Sequence, residues 1–167
     1  MACLIALGVL LSAAAAPAEI LAPEGHPFRV NIPGKAEHKE LSRSIGIGTV
    51  TSENFIGGGD TNSIFVSIVT LPSFASVFTP TSLLYNQARD GMLEDIGGDQ
   101  LAFTDFERDG REGKLLIYEI PSTEGSKRNG RAEFFRVSQS LYIFAAHGVG
   151  KEDTMRKNFF ASLKILD

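Results

Sequence analysis

An α+β fold, a mostly antiparallel β-sheet packed by helices, is what this sequence predicts, and three observations carry the prediction. Strand-like runs arrive in blocks rather than alternating one for one with helical patterns, which argues against a parallel doubly wound sheet. Only two segments carry an apolar stripe at helical spacing. One late run, Leu141 to Ala146, is apolar at every position, as a strand covered on both faces must be.

The first element is not expected to belong to the domain. Met1 to Ala18 carries no charge, and its apolar run Leu4 to Leu11 is followed by the small residues Ser12 to Ala16. That is the hydrophobic region and cleavage patch of a secretory signal peptide, although no basic residue precedes it. The run is too short to span a bilayer, which needs roughly 20 apolar residues. Ala16-Pro17-Ala18 fits a small-x-small rule, so cleavage near Ala18 is expected and residues 19–167 form a single globular domain. The mature chain would then be periplasmic or extracellular, with no membrane span. An uncleaved N-terminus anchoring a membrane-associated accessory protein is the alternative.

Phe28 to Ile32 alternates apolar and polar residues and reads as a half-buried strand, ended by Pro33 and Gly34. Ile45 to Ser52 is expected as a second strand, and Phe55 to Asn62, with Gly57, Gly58 and Gly59, as a flexible turn. Ser63 to Leu71 is β-branched and stops at Pro72. Thr79 and Pro80 are expected to open a helix, with Thr as N-cap and Pro at the first helical position. Leu84, Ala88, Met92 and Ile96 then form its core stripe, widened by Tyr85 and Leu93. Gly97 can end it in the left-handed conformation.

Leu101 to Arg108 and Arg111 to Ile120 read as a hairpin around Asp109-Gly110, a pair that suits a tight two-residue turn. Arg131 to Val137 and Leu141 to Ala146 form a second hairpin, and the latter is expected at the centre of the sheet. A final helix is expected from about Glu152 to Ser162, with Met155, Phe159 and Leu163 on its inner side. Lys164 to Leu166 can add a terminal strand.

Composition narrows the function classes. The 12 Phe and absence of Trp point to a core built on Phe. Cys3 is the sole cysteine and lies in the expected signal segment, so the domain has no disulfide, thiolate metal site or cysteine nucleophile. A net charge of −4 argues against backbone-driven nucleic-acid binding, which needs a basic face. The basic residues Lys127, Arg128 and Arg131 sit in a glycine-containing stretch and read as a solvated hairpin tip.

Three sequence pieces together resemble a known family. Phe28-x-Val30-x-Ile32-Pro33-Gly34, Ala88-Arg89-Asp90-Gly91 in a helix ending Gly97-Gly98, and Leu141 to Phe144 followed by a helix ending Phe159 to Ile165 are similar to small exported bacterial proteins of the PsbP-like α/β/α sandwich group. The resemblance covers nearly all of the mature chain. It implies a non-enzymatic binding or assembly module, whose partner would be another exported or membrane protein, and it offers no catalytic residue set to transfer. Some relatives bind divalent ions.

The residues themselves offer little chemistry. There is no Gly-x-Ser-x-Gly elbow and no phosphate-binding loop of the Gly-x₄-Gly-Lys type. His26, His38 and His147 show no metal-ligand spacing, though two of them could meet in space. His147, with Glu152 and Asp153 close in sequence, is the candidate metal site, and a hydrogen-bonded strand-end histidine is the competing reading. The carboxylates Glu94, Asp95, Asp99 and Asp105 read as solvated surface. Arg89 is a candidate ligand anchor, against a structural role in which its stem lies on apolar surface and its head pairs with a carboxylate. No cofactor is expected, and the domain is expected to fold without metal ions. An exposed apolar patch around Phe74, Val77 and Phe78 would favour a protein-interaction module, and a pocket with convergent polar groups an enzyme or a small-ligand or metal carrier.

Overall fold

The computed structural model describes residues 18–45, 48–59, 62–121, 125–149 and 153–166, without the side chains of residues 43–45. The signal segment up to residue 17 and Glu152 therefore lie outside the described residues. Strands β1 (Ala18–Leu21), β2 (Phe28–Pro33), β3 (Glu37–Ile45), β4 (Gly48–Gly58) and β5 (Ser63–Thr70) come first, then helices α1 (Ser73–Phe78) and α2 (Thr81–Ile96). Strands β6 (Asp99–Arg108), β7 (Arg111–Ile120), β8 (Arg128–Val137) and β9 (Ser140–Val149) follow, and α3 (Thr154–Ser162) and β10 (Lys164–Ile165) close the order.

Seven strands form one antiparallel sheet in the order β3-β4-β5-β9-β8-β7-β6, so β9 is the middle strand. Its unbroken apolar run has the cause inferred from sequence. Tyr142, Phe144 and Ala146 enter a core shared with β2 and α3, while Leu141, Ile143 and Ala145 enter a second core beneath α2. The chain is thus a three-layer arrangement. One face of the large sheet carries α2, and the other carries α3 with a small sheet of order β1-β2-β10. In β2 the alternation holds, with Phe28, Val30 and Ile32 buried and Arg29 and Asn31 exposed. Phe159 and Leu163 are buried on the inner side of α3, and Met155 packs partly against them.

The turns follow their residues. Asp109 and Gly110 both have positive φ (51° and 77°), the geometry a two-residue hairpin of this type requires. Gly97 caps α2 in the left-handed conformation, with its own N–H and that of Gly98 satisfied by Glu94 and Leu93 carbonyls.

Four expectations need correction. Ile45 to Ser52 is not one strand, because β3 ends at Ile45 and β4 begins at Gly48. The stretch from Phe55 is not a turn, since β4 continues to Gly58. Gly57 is there for space, as a Cβ would stand 2.3 Å from Cγ2 of Ile32 in β2. Thr79 does not cap α2. It ends α1, and Pro80 occupies the N-cap of α2, where its carbonyl accepts from Leu83 and Leu84. Finally, Arg128 and Arg131 lie in β8 rather than in a solvated tip, and of that cluster Lys127 alone is fully exposed, paired with Glu119.

Candidate functional site

α1 shows an inverted pattern. This six-residue helix, between Pro72 and Pro80, turns its small residues Ala75 and Ser76 inward and its large ones outward. Phe74, Val77 and Phe78 are 63%, 75% and 68% exposed, with the two Phe rings 4.7 Å apart. A monomer gains nothing in folding free energy from apolar rings held in water, and such a patch is the usual mark of an interaction site. The patch named from sequence is therefore exposed in the structure.

What fixes α1 is polar. Arg136, reaching across from β8, donates from Nη1 to the Thr79 carbonyl (3.0 Å) and Thr81 Oγ1 (2.9 Å), and from Nη2 to the Ser76 carbonyl. These are carbonyls a helix C-terminus leaves without intrahelical donors, and a cation is favoured there. Tyr85 of α2 accepts the Arg136 backbone N–H (3.1 Å), and burial pushes its pKa up. At the helix start, Ser73 Oγ donates to Gln139 Oε1 and the Leu71 N–H donates to the Gln139 carbonyl. The apolar tip is thus presented on a clamped base.

Of the candidate metal residues, His147 and Asp153 approach β9 from opposite faces, and Glu152 lies outside the described residues. His147 points to the α2 side of β9, where its Nδ1 lies 3.3 Å from the Tyr118 hydroxyl. Burial, reinforced by Arg128, pushes its pKa down to about 4. Gly148, next along the strand, faces the opposite way toward Asp153, and a Cβ there would stand 2.2 Å from Asp153 Oδ2. Asp153 instead caps α3, with Oδ1 accepting from the Met155 N–H (3.0 Å). Its buried Oδ2 has no hydrogen-bond partner among the described residues.

The histidines that sequence spacing left unassigned do converge. His26 Nε2 lies 3.6 Å from Glu53 Oε1, and His38 Nε2 lies 3.7 Å from Glu53 Oε2. His26 Nδ1 is 3.1 Å from the Tyr142 hydroxyl, and His38 stacks on Phe55 at 4.6 Å. Nothing in the spacing from His26 to His38 signals this, because the meeting point is supplied by Glu53 on β4. No group of three or more His, Cys, Asp or Glu side chains among the described residues is arranged to hold a metal ion.

Arg89 takes the structural arrangement, paired with Asp90 at 2.7 Å and lying over the Phe103 ring at 4.8 Å. Glu94, Asp95, Asp99 and Asp105 are all exposed, and Asp105 pairs with Lys114. That pair lines a recess of about 430 Å³ with Thr81, Tyr85 and Arg136, whose polar groups are already engaged with one another or with α1. Sequence reasoning also missed Glu133, a fully buried carboxylate on β8, held by Arg108 at 2.7 and 2.9 Å and by Arg131. No described helix is long and apolar enough to cross a membrane.

Among solved structures, the chain is similar to the cyanobacterial PsbP (CyanoP) of Synechocystis sp. PCC 6803, with a TM-score of 0.58 at 12% identity over 97% of this chain and 98% of that one. A protein from Bacteroides thetaiotaomicron VPI-5482 matches with a TM-score of 0.46 at 9% identity, over 84% of this chain and 46% of its own. A Pseudomonas aeruginosa protein of unknown function matches at 0.38 and 14%, over 78% and 82%. No family model and no curated protein matches the sequence. The first of these likenesses shows that the fold is PsbP-like, α+β with a mostly antiparallel sheet.

Proposed function

We propose that the protein is an exported, non-catalytic interaction module that engages another exported or membrane protein through α1. The observation that carries this reading is the inverted helix, with Phe74, Val77 and Phe78 exposed above a base clamped by Arg136. A rigid aromatic tip loses little conformational entropy on docking, which is what makes such residues effective anchors. Export rests on the uncharged segment Met1 to Ala18. Cleavage after Ala18 would leave Glu19 to Leu21 paired with β2, and would keep the Glu19 carboxylate on the Ala36 N–H.

The test places a photo-crosslinking amino acid at Val77 in cells of the native host, with Glu94 on exposed α2 as the control position. A discrete adduct from Val77, absent from Glu94 and lost when Phe74 and Phe78 are changed to Ser, is expected. The same products from both positions, or none from Val77, would remove the reading. N-terminal sequencing of the recovered protein tests export separately, with Glu19 expected as the first residue.

A further inference from the structure

The chain around α1 is without charge. From Thr61 to Ala88 there is no Asp, Glu, Lys, Arg or His, and Asp60 and Arg89 are the first charges on either side. Strand β5, inside this run, is largely buried. What the run shows to solvent is α1, the exposed Pro80 and the start of α2, where Leu83 is 46% exposed. Arg89 is paired with Asp90. The cation beneath α1, Arg136, is committed to the Ser76, Thr79 and Ser138 carbonyls and to Thr81. A surface that finds its partner by charge needs charges to steer it, and this one has none.

Spacing says how α1 is received. Phe74, Val77 and Phe78 stand at i, i+3 and i+4, which puts them on one face, the pattern of a helix laid into an apolar groove. Six residues at 1.5 Å each make a helix of about 9 Å. Both of its ends run back into the domain. At the first, Pro72 lies so close to β4 that a Cβ on Gly48 would stand 2.8 Å from its ring. At the second, the Pro80 carbonyl accepts the Leu83 N–H (3.0 Å) and starts α2. A groove that takes α1 must therefore be short and open at both ends.

We infer that the partner protein receives α1 in a short, open-ended apolar groove that brings no charged side chain to the contact, with Leu83 at its rim. This rests on the reading of α1 as the docking element and specifies what it docks into. A charged side chain in such a groove would lose its water and meet no counter-charge. A bilayer fits less well as the occupant, because binding to a lipid surface pairs an apolar face with Lys and Arg, and this run offers neither.

The probe is the photo-crosslinking amino acid at Val77, in the full chain and in cells of the native host. Leu83 is changed to Gln, Glu or Lys, in variants whose melting temperature matches the parent. Should any fall below it, Ser82→Glu and Ser82→Lys, in the same exposed turn, take their place. A Val77 adduct of one fixed mass is expected, reduced about 2- to 3-fold by Leu83→Gln and about 10-fold or more by Leu83→Glu and Leu83→Lys alike. In lysate the parent adduct should form equally at about 50 and about 500 mM NaCl, since contacts between uncharged groups are not screened. An adduct that tolerates one sign of charge, or that fades with salt, would overturn the uncharged groove and leave α1 as the docking element. An adduct that tolerates both charges would place Leu83 outside the contact and overturn the proposal in the same way. An adduct of twice the chain mass, or one digested by phospholipase, would replace the partner protein by a second copy or by lipid and overturn it outright. Absence of any Val77 adduct would remove the docking reading itself, and the groove with it.

Discussion

α1 and α3 are both short helices docked on the same framework, and they bury opposite things. α3 sends Phe159 and Phe160 into the core and is capped by Asp153. α1 buries Ala75 and Ser76, sends Phe74, Val77 and Phe78 into solvent, and has no side-chain cap at its start. The first is held by apolar burial, the second by the Arg136 clamp and the Gln139 contacts. Two helices of similar length can therefore look alike in outline while one serves the fold and the other spends its apolar surface on something outside it.

The largest expected effect lies in α3. Phe159 is buried in the core against β2 and β9, and Phe159→Ala should cost about 3–5 kcal/mol through lost burial and a residual cavity. A domain stabilised by only about 5–15 kcal/mol would be badly weakened. Urea denaturation measures this. A loss no larger than that of a surface change would mean that α3 is not held by its apolar face.

Arg136→Ala comes next. It removes the side-chain donor to the Ser76, Thr79 and Ser138 carbonyls and to Thr81, and hydrogen bonds from a charged group are worth about 1.5–3 kcal/mol. A loss of about 2–3 kcal/mol is expected, with amide exchange accelerating at Ser76 and Thr79, whose N–H groups close the turns of α1. If those amides keep their protection, the clamp is not what orders α1.

Much of α3 was legible because four-residue spacing of Met155, Phe159 and Leu163 survives in any context. α1 was not, because six residues between two prolines are too few to show a period, and the exposed rings break the rule that large apolar residues mark the core. β3 was illegible for a related reason. Apart from the exposed Leu41, Glu37 to Ser42 is polar and charged, and it lies at the edge of the sheet, where charge protects a strand from pairing with other chains. Gly57 read as part of a turn because a glycine needed for close approach to Ile32 looks the same in sequence as one needed for flexibility. Among site residues, the Arg89–Asp90 pair was readable because the partners are adjacent. The grip of Arg136 on α1 and of Arg108 on Glu133 were not, since 25 to 60 residues separate those partners. The split between His147 and Asp153 could have been found, because Gly148 takes the face of β9 opposite to its neighbour.

Acid should weaken the β9 end that leads toward α3. The folded-state pKa of His147, about 4, lies below its unfolded value of roughly 6.5, so the unfolded chain binds the proton more readily. Its contribution to stability is complete above the unfolded value and is lost as pH falls from there through about 4. His147→Gln should flatten this part of the pH–stability curve. Melting curves at pH 7, 5.5 and 4.5 measure it, and an unchanged slope in the variant would show that other groups account for the acid limb.

The smallest effect on stability is expected where the effect on interaction is greatest. Phe74 and Phe78 touch each other but contribute little to either core, so Phe74→Ser/Phe78→Ser should change folding stability by under about 0.5 kcal/mol. Removing exposed apolar surface should make the protein less sticky, seen as weaker binding of a hydrophobic dye and earlier elution from a hydrophobic column. The contrast with Phe159→Ala is the point of the measurement, since the same residue type is removed from helices of similar length. If the α1 variant instead loses several kcal/mol, the rings pack against the domain in solution and α1 belongs to the fold as α3 does. If stability holds and dye binding does not fall, the exposed apolar surface lies elsewhere. Retained stability with reduced dye binding would leave α1 as a surface that folding does not use, the condition the interaction reading requires.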